Sequence, residues 1–113
     1  MGERLPHDVN QFLEAHIDSV EQLEALILMS EDPERAWTAA ELSKRLKTSP
    51  GSVEIRLAAL QRGGLLHQAD GSFFYTATGV TDRRVRDLAW CFRRRRTAVI
   101  EKIFTLARTS VQE

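Results

Sequence analysis

The 113-residue sequence predicts a mainly α-helical fold that carries one small β-hairpin and ends in a long C-terminal helix. Three observations predict it. Apolar residues recur at intervals of three and four behind Ser, Thr and Asp residues placed as helix caps. An Asp70-Gly71 pair joins two short β-prone runs, a strong local hairpin signal. From Thr81 to Arg108 the chain contains no Gly or Pro, so a single helix is expected over 81–108.

In order along the chain, Asp8 followed by Gln11 has the form of a capping box for a first helix, with Val9, Phe12, Leu13, His16 and Ile17 along one side. Ser19 followed by Gln22 opens a second, whose Val20, Leu23, Leu26 and Ile27 make it the central core element; Glu31-Asp32-Pro33 ends it. Ala36-Trp37-Thr38 reads as a short extended segment. Thr38 with Glu41 then caps a third helix, with Leu42 and Leu46 facing inward. Ser49 and Pro50 start a fourth helix, because Ser is a good N-cap and Pro at the first helical position loses no needed hydrogen bond. Val53, Leu57 and Leu60 form its buried stripe, and Gly63-Gly64 ends it. Strands follow over 65–69 and 72–77, with the Phe73-Phe74-Tyr75 run covering the core on alternate residues. Residues 1–80 are thus expected to form one domain, and 81–113 a helix added to it.

Composition narrows the function. Apolar residues make up 42% and charged residues 28%, ordinary for a soluble domain. The single cysteine, Cys91, excludes an intrachain disulfide and points to the reducing cytoplasm. No apolar run approaches the roughly 18 residues of a membrane span, and residues 1–10 contain no signal-peptide core, so no membrane contact is expected. His7, His16, His67 and Cys91 lack metal-ligand spacing, and no phosphate loop or nucleophile turn is present. The expectation is a non-enzyme without metal or cofactor. A redox role for Cys91 would need its neighbouring arginines to lower the thiol pKa; a buried, reduced helix cysteine is the simpler expectation.

The charges sum to zero but are segregated. Residues 1–48 hold five Lys/Arg against ten Asp/Glu, 49–80 hold two of each, and 81–113 hold nine against four. Such polarity marks either an acidic body with a basic arm, or two ends that neutralise each other when they pack.

The order helix, short strand, helix, tight turn, helix, hairpin is that of a winged helix-turn-helix. The residues that carry it are Trp37-Thr38-Ala39-Ala40-Glu41-Leu42, Thr48-Ser49-Pro50-Gly51-Ser52-Val53 and Leu60-Gln61-Arg62-Gly63-Gly64-Leu65-Leu66. Over residues 19–78 the chain resembles the winged-helix domain of small bacterial transcriptional regulators of the MarR and ArsR type. The resemblance implies a DNA-binding regulator whose second motif helix enters the major groove. It places Ser49, Ser52, Ile55, Arg56 and Ala59 at the groove, with Lys44, Arg45 and Lys47 on phosphate. Two features depart from the pattern. Glu54 lies on the proposed recognition helix, and the 65–77 wing has no Lys or Arg and an acid, Asp70, at its tip. Affinity for DNA depends on neutralised phosphates, so the alternative is a protein-binding adaptor that uses its apolar and Arg-rich C-terminal helix and binds no DNA.

On the C-terminal helix Val85, Leu88, Phe92, Val99, Ile103 and Leu106 recur as a heptad-like seam, interrupted by Arg96. The seam is expected to join two subunits as a homodimer, the alternative being packing on the first helices of the same chain. Arg93, Arg94, Arg95 and Arg96 occupy all sides of a helix, so at least one approaches the seam. Arg96 is expected to meet Glu14, Glu21 or Glu24, since a buried unpaired charge is costly. The rest form a solvated or internally paired face, a nucleic-acid contact, or a contact for an acidic protein partner.

Overall fold

A computed structural model describes residues 5–111, with side chains through Ala107. The expected segments 1–80 and 81–113 therefore begin and end in residues outside the described ones, as do Glu3, Arg4 and Glu113 of the charge tally.

The chain is mainly helical with one small antiparallel hairpin. Helices α1 (His7–His16) and α2 (Val20–Ser30) precede α3 (Ala39–Leu46) and α4 (Pro50–Arg62). Strands β1 (Leu66–Ala69) and β2 (Ser72–Tyr75) follow, then α5 (Gly79–Arg94) and α6 (Arg96–Val111). Helix α2 runs through the middle, packed against α3, α4, α5 and β2, while α1 lies across α5 and α6. Leu23, Leu26 and Met29 of α2 have no exposed surface.

Most helix starts follow the cap chemistry of the sequence. Ser19 accepts a hydrogen bond from the Gln22 amide. Thr38 and Glu41 exchange both bonds of a capping box, at 2.9 and 3.1 Å. Ser49 accepts from the Ser52 amide, with Pro50 first in the helix. Lys47 ends α3 in the left-handed conformation (φ 59°) and so turns the chain sharply into α4. In the hairpin Leu66 pairs with Tyr75 and Ala69 with Ser72. Asp70 and Gly71 both have positive φ (54° and 79°), as the tightest two-residue link requires. Trp37 adds one bridge to Phe73. Phe73 and Tyr75 face the core, with Phe74 half-buried between them.

Four expectations are corrected. Asp8 does not cap α1: the helix begins one residue earlier, behind Pro6, with no side-chain cap, and Asp8 pairs with Arg84 at 3.2 Å. Likewise α5 starts two residues before Thr81, behind Thr78.

The third correction is larger. The expected helix over 81–108 is broken at Arg95, whose backbone leaves the helical region (φ −134°, ψ 53°). A continuous helix would set Arg96 four residues after Phe92 and three before Val99, in the middle of the apolar stripe. The break moves that guanidinium out. Arg96 is exposed, reaches Glu24 at 3.4 Å and lies 4.4 Å over the Phe92 ring. Glu24 is one of the acids expected for it.

The fourth concerns the seam. Val85, Leu88 and Val99 are fully buried within a single chain, Ile103 and Phe92 nearly so, and Leu106 partly. They form part of this chain's own core, packed under α1 and α2, as the alternative had it. Periodicity had shown an apolar face without showing what covers it.

The segregated charges meet in space. Arg84 pairs with Asp8, Arg93 with Glu31, Arg96 with Glu24 and Lys102 with Glu14, at 2.9–3.5 Å. Each joins a base of the last third to an acid of the first helices, so much of the sequence polarity is neutralised internally.

Candidate functional site

Helices α3 and α4, the turn between them and the hairpin make the surface on which a groove-reading function would rest. Along α4, Val53, Leu57 and Leu60 point into the core. The opposite side then carries residues three and four apart: Gly51, Glu54, Ile55, Ala58 and Arg62.

Two of the expected DNA contacts are not on that side. Ser52 donates its hydroxyl proton to Glu21 Oε1 at 2.7 Å, and Arg56 donates from Nε to the same oxygen at 3.2 Å. Glu21 stands in the first turn of α2, its side chain mostly buried, and Arg56 is only a third exposed. Burial pushes the Glu21 carboxyl up. Hydrogen bonds from Ser52 and Arg56, with the Thr48 side chain nearby and the Arg56 charge, more than offset this and hold its pKa below the ordinary glutamate value. Glu21 is therefore ionised at neutral pH and clamps both side chains toward α2. In the sequence Glu21 stood only as one of three acids that could meet Arg96; the signal for its place here was an acid in the first turn of the helix that α4 must cover.

The remaining predicted contacts lie at the turn. Lys44, Lys47 and Ser49 are exposed, and Arg45 is exposed with its guanidinium 5.7 Å from the Trp37 ring centre, where Arg35 also stacks at 3.6 Å. Lys44 and Lys47 have no carboxylate partner among the described residues. Ile55, placed at the groove by the resemblance, is 65% exposed, and Ala59 is half-buried.

Between α4 and the hairpin runs a groove of about 540 Å³, bordered by Thr38, Ala40, Pro50, Glu54, Ala58 and Gly71. No cation lines it, and its one charged side chain is acidic. A smaller groove of about 290 Å³ lies on the other side of α3, where Leu28, Leu46 and Phe92 form the floor and Glu24, Glu31, Arg45 and Lys47 the rim. Its two acids are already paired with Arg96 and Arg93.

The four consecutive arginines separate. Arg93 meets Glu31, Arg94 lies 4.9 Å over the exposed Trp90 ring, and Arg96 meets Glu24. Arg95, at the break, is half-buried and has partners of its own. No continuous row of four free cations results.

Cys91 is buried, and burial pushes its thiol pKa up against the opposing charge of Arg95. Burial thus opposes the thiol activation that a redox role would need, in line with the simpler expectation of a buried helix cysteine. Among the described residues no group of His, Cys, Asp and Glu is arranged to hold a metal ion, and no helix is long and apolar enough to cross a membrane.

The sequence matches no protein-family model, no curated protein and no solved structure.

Proposed function

We propose that the chain is a winged helix-turn-helix domain of the cytoplasm that acts as a protein-binding adaptor, not as a reader of DNA and not as an enzyme. One observation carries this: the Glu21 carboxylate occupies Ser52 and Arg56, the two side chains of α4 best suited to phosphate and base contacts. What α4 offers outward is Gly51, Glu54, Ile55, Ala58 and Arg62, a face of small and apolar side chains with one charge of each sign. The hairpin beside it contributes no cation and carries Asp70 at its tip. Such a face suits an apolar protein contact. It is poor at neutralising phosphates, which supply most non-specific DNA affinity.

A second reading keeps the DNA-binding transcriptional regulator. It is favoured by Lys44, Lys47 and Arg62, all exposed and without a carboxylate partner among the described residues. In that case the turn between α3 and α4 would sit on phosphate.

Titration of a fluorescently labelled pool of random duplexes at low salt separates the two. The adaptor reading expects no saturable binding, and no difference between the wild type and a Lys44→Ala, Arg45→Ala, Lys47→Ala variant. Saturable binding that weakens in this variant, with a smaller salt slope, establishes the DNA reading instead.

A further inference from the structure

We infer that the outward face of α4 pairs with the α4 of a second copy of this chain, antiparallel about a two-fold axis at Ala58. The pairing rests on the adaptor reading and deepens it: the protein that the outward α4 face takes is a second copy of this chain.

The face is self-complementary. Glu54 and Arg62 stand four residues before and after Ala58, which is about 6 Å either way along the helix axis. A two-fold axis through Ala58 therefore brings each Glu54 opposite the other copy's Arg62, twice per dimer. Both side chains are exposed, and neither has an ion-pair partner among the described residues. Ile55 lies on the same face at 65% exposure, a large apolar side chain in mid-helix that the described residues leave mostly uncovered. Antiparallel pairing sets it against Gln61 and Arg62 of the second copy, whose long side-chain stems can cover it.

Close approach is open where the axis passes. Ala58, half-buried at that point, has only a methyl group to offer. Small residues at a helix crossing allow the backbones to approach and bury the flanking apolar groups. The groove bordered by Thr38, Ala40, Gly71 and Ala58 continues this face toward the hairpin, so a second helix has room along one edge. A cationic or strongly acidic partner is matched less well, because the face carries one charge of each sign.

The dimer is thus placed away from the C-terminal seam, which is core, and on the helix that the resemblance assigns to DNA. In a homodimer joined this way the α4 helices cover each other and the cations of α5 and α6 remain outside.

Sedimentation or light scattering of the full chain over a micromolar concentration series tests the pairing by charge exchange. The wild type is expected to dimerise reversibly. Glu54→Arg or Arg62→Glu alone replaces two attractions with two repulsions and should weaken dimerisation about tenfold or more. The double variant E54R/R62E recreates both pairs with reversed sign and should return to within about threefold of wild type. Ile55→Asp should be monomeric. All of these positions are exposed, so the circular dichroism spectrum should keep its helical content, and recovery in the double variant separates lost pairing from lost folding.

A wild type that is monomeric throughout the series, or a double variant no better than the singles, overturns the pairing. If that monomer also ignores duplex DNA, the adaptor reading stands without it. If it binds duplex DNA and loses affinity on Arg62→Glu, both are overturned.

Discussion

On α4, Arg56 turns inward to Glu21 while Glu54 and Arg62 stay outside with no ion-pair partner among the described residues; on α5 and α6, Arg84, Arg86, Arg93, Arg96 and Lys102 each meet a carboxylate. The first region is poor in cations yet keeps one of each sign available. The second holds most of the positive charge of the sequence, and most of what is described of it is used inside the chain. The count of arginines along a stretch therefore says little about its partner. What matters is which carboxylates the fold brings to them.

The largest effect is expected at the seam. If Val99 belongs to the core, Val99→Asp buries an unpaired carboxylate and should cost more than about 4 kcal/mol, abolishing cooperative unfolding in urea. If the seam instead joins two subunits, the same variant stays folded and only the association is lost. Urea melts with circular dichroism distinguish the two.

The Glu21 clamp gives an intermediate effect. Glu21→Gln keeps the shape but weakens two hydrogen bonds to a charged acceptor, and should destabilise by about 1–2 kcal/mol at neutral pH. The pKa of Glu21 is lower in the folded chain than in the unfolded one. Its contribution is therefore complete above the ordinary glutamate value of 4.5 and is lost as pH falls through the lowered folded value. Stability of wild type and Glu21→Gln should accordingly converge as the pH is lowered below that ordinary value. Urea midpoints collected from neutral to acidic pH check this; a constant gap across the range would contradict the clamp.

The smallest effect belongs to the outer ion pairs. Lys102 and Glu14 meet at 2.9 Å, but the Glu14 side chain is half exposed. Lys102→Ala should change stability by no more than about 0.5 kcal/mol, and added salt should shrink the difference further. A larger, salt-insensitive loss in urea melts would mean that the pairs between the acidic and basic ends hold the fold together.

Much of the fold was legible because its signals are local. Thr38 and Glu41, Ser49 and Pro50, Asp70 and Gly71 each act within four residues of themselves, and each does in the structure what its chemistry requires. The break at Arg95 was not read, since neither Gly nor Pro marks it. Its trace was the arginine at position 96, sitting where the stripe from Phe92 to Val99 needs an apolar side chain. At the candidate site the limit was distance along the chain. Arg56 and Glu21 are 35 positions apart, and nothing in a helix periodicity reports which acid of α2 will face α4. The exposed Lys44, Arg45 and Lys47 were found correctly as surface residues, because amphipathic spacing does fix that.

Whether Glu21 withholds α4 from DNA is measured most directly by fluorescence anisotropy with labelled duplexes at low salt, comparing wild type, Arg56→Ala and Glu21→Gln. Neither wild type nor Arg56→Ala should bind saturably, while Glu21→Gln, whose neutral amide holds Arg56 less tightly, should gain weak, salt-sensitive binding. Saturable binding by the wild type that is lost in Arg56→Ala would contradict the account, because it would show Arg56 reaching phosphate despite the carboxylate that holds it.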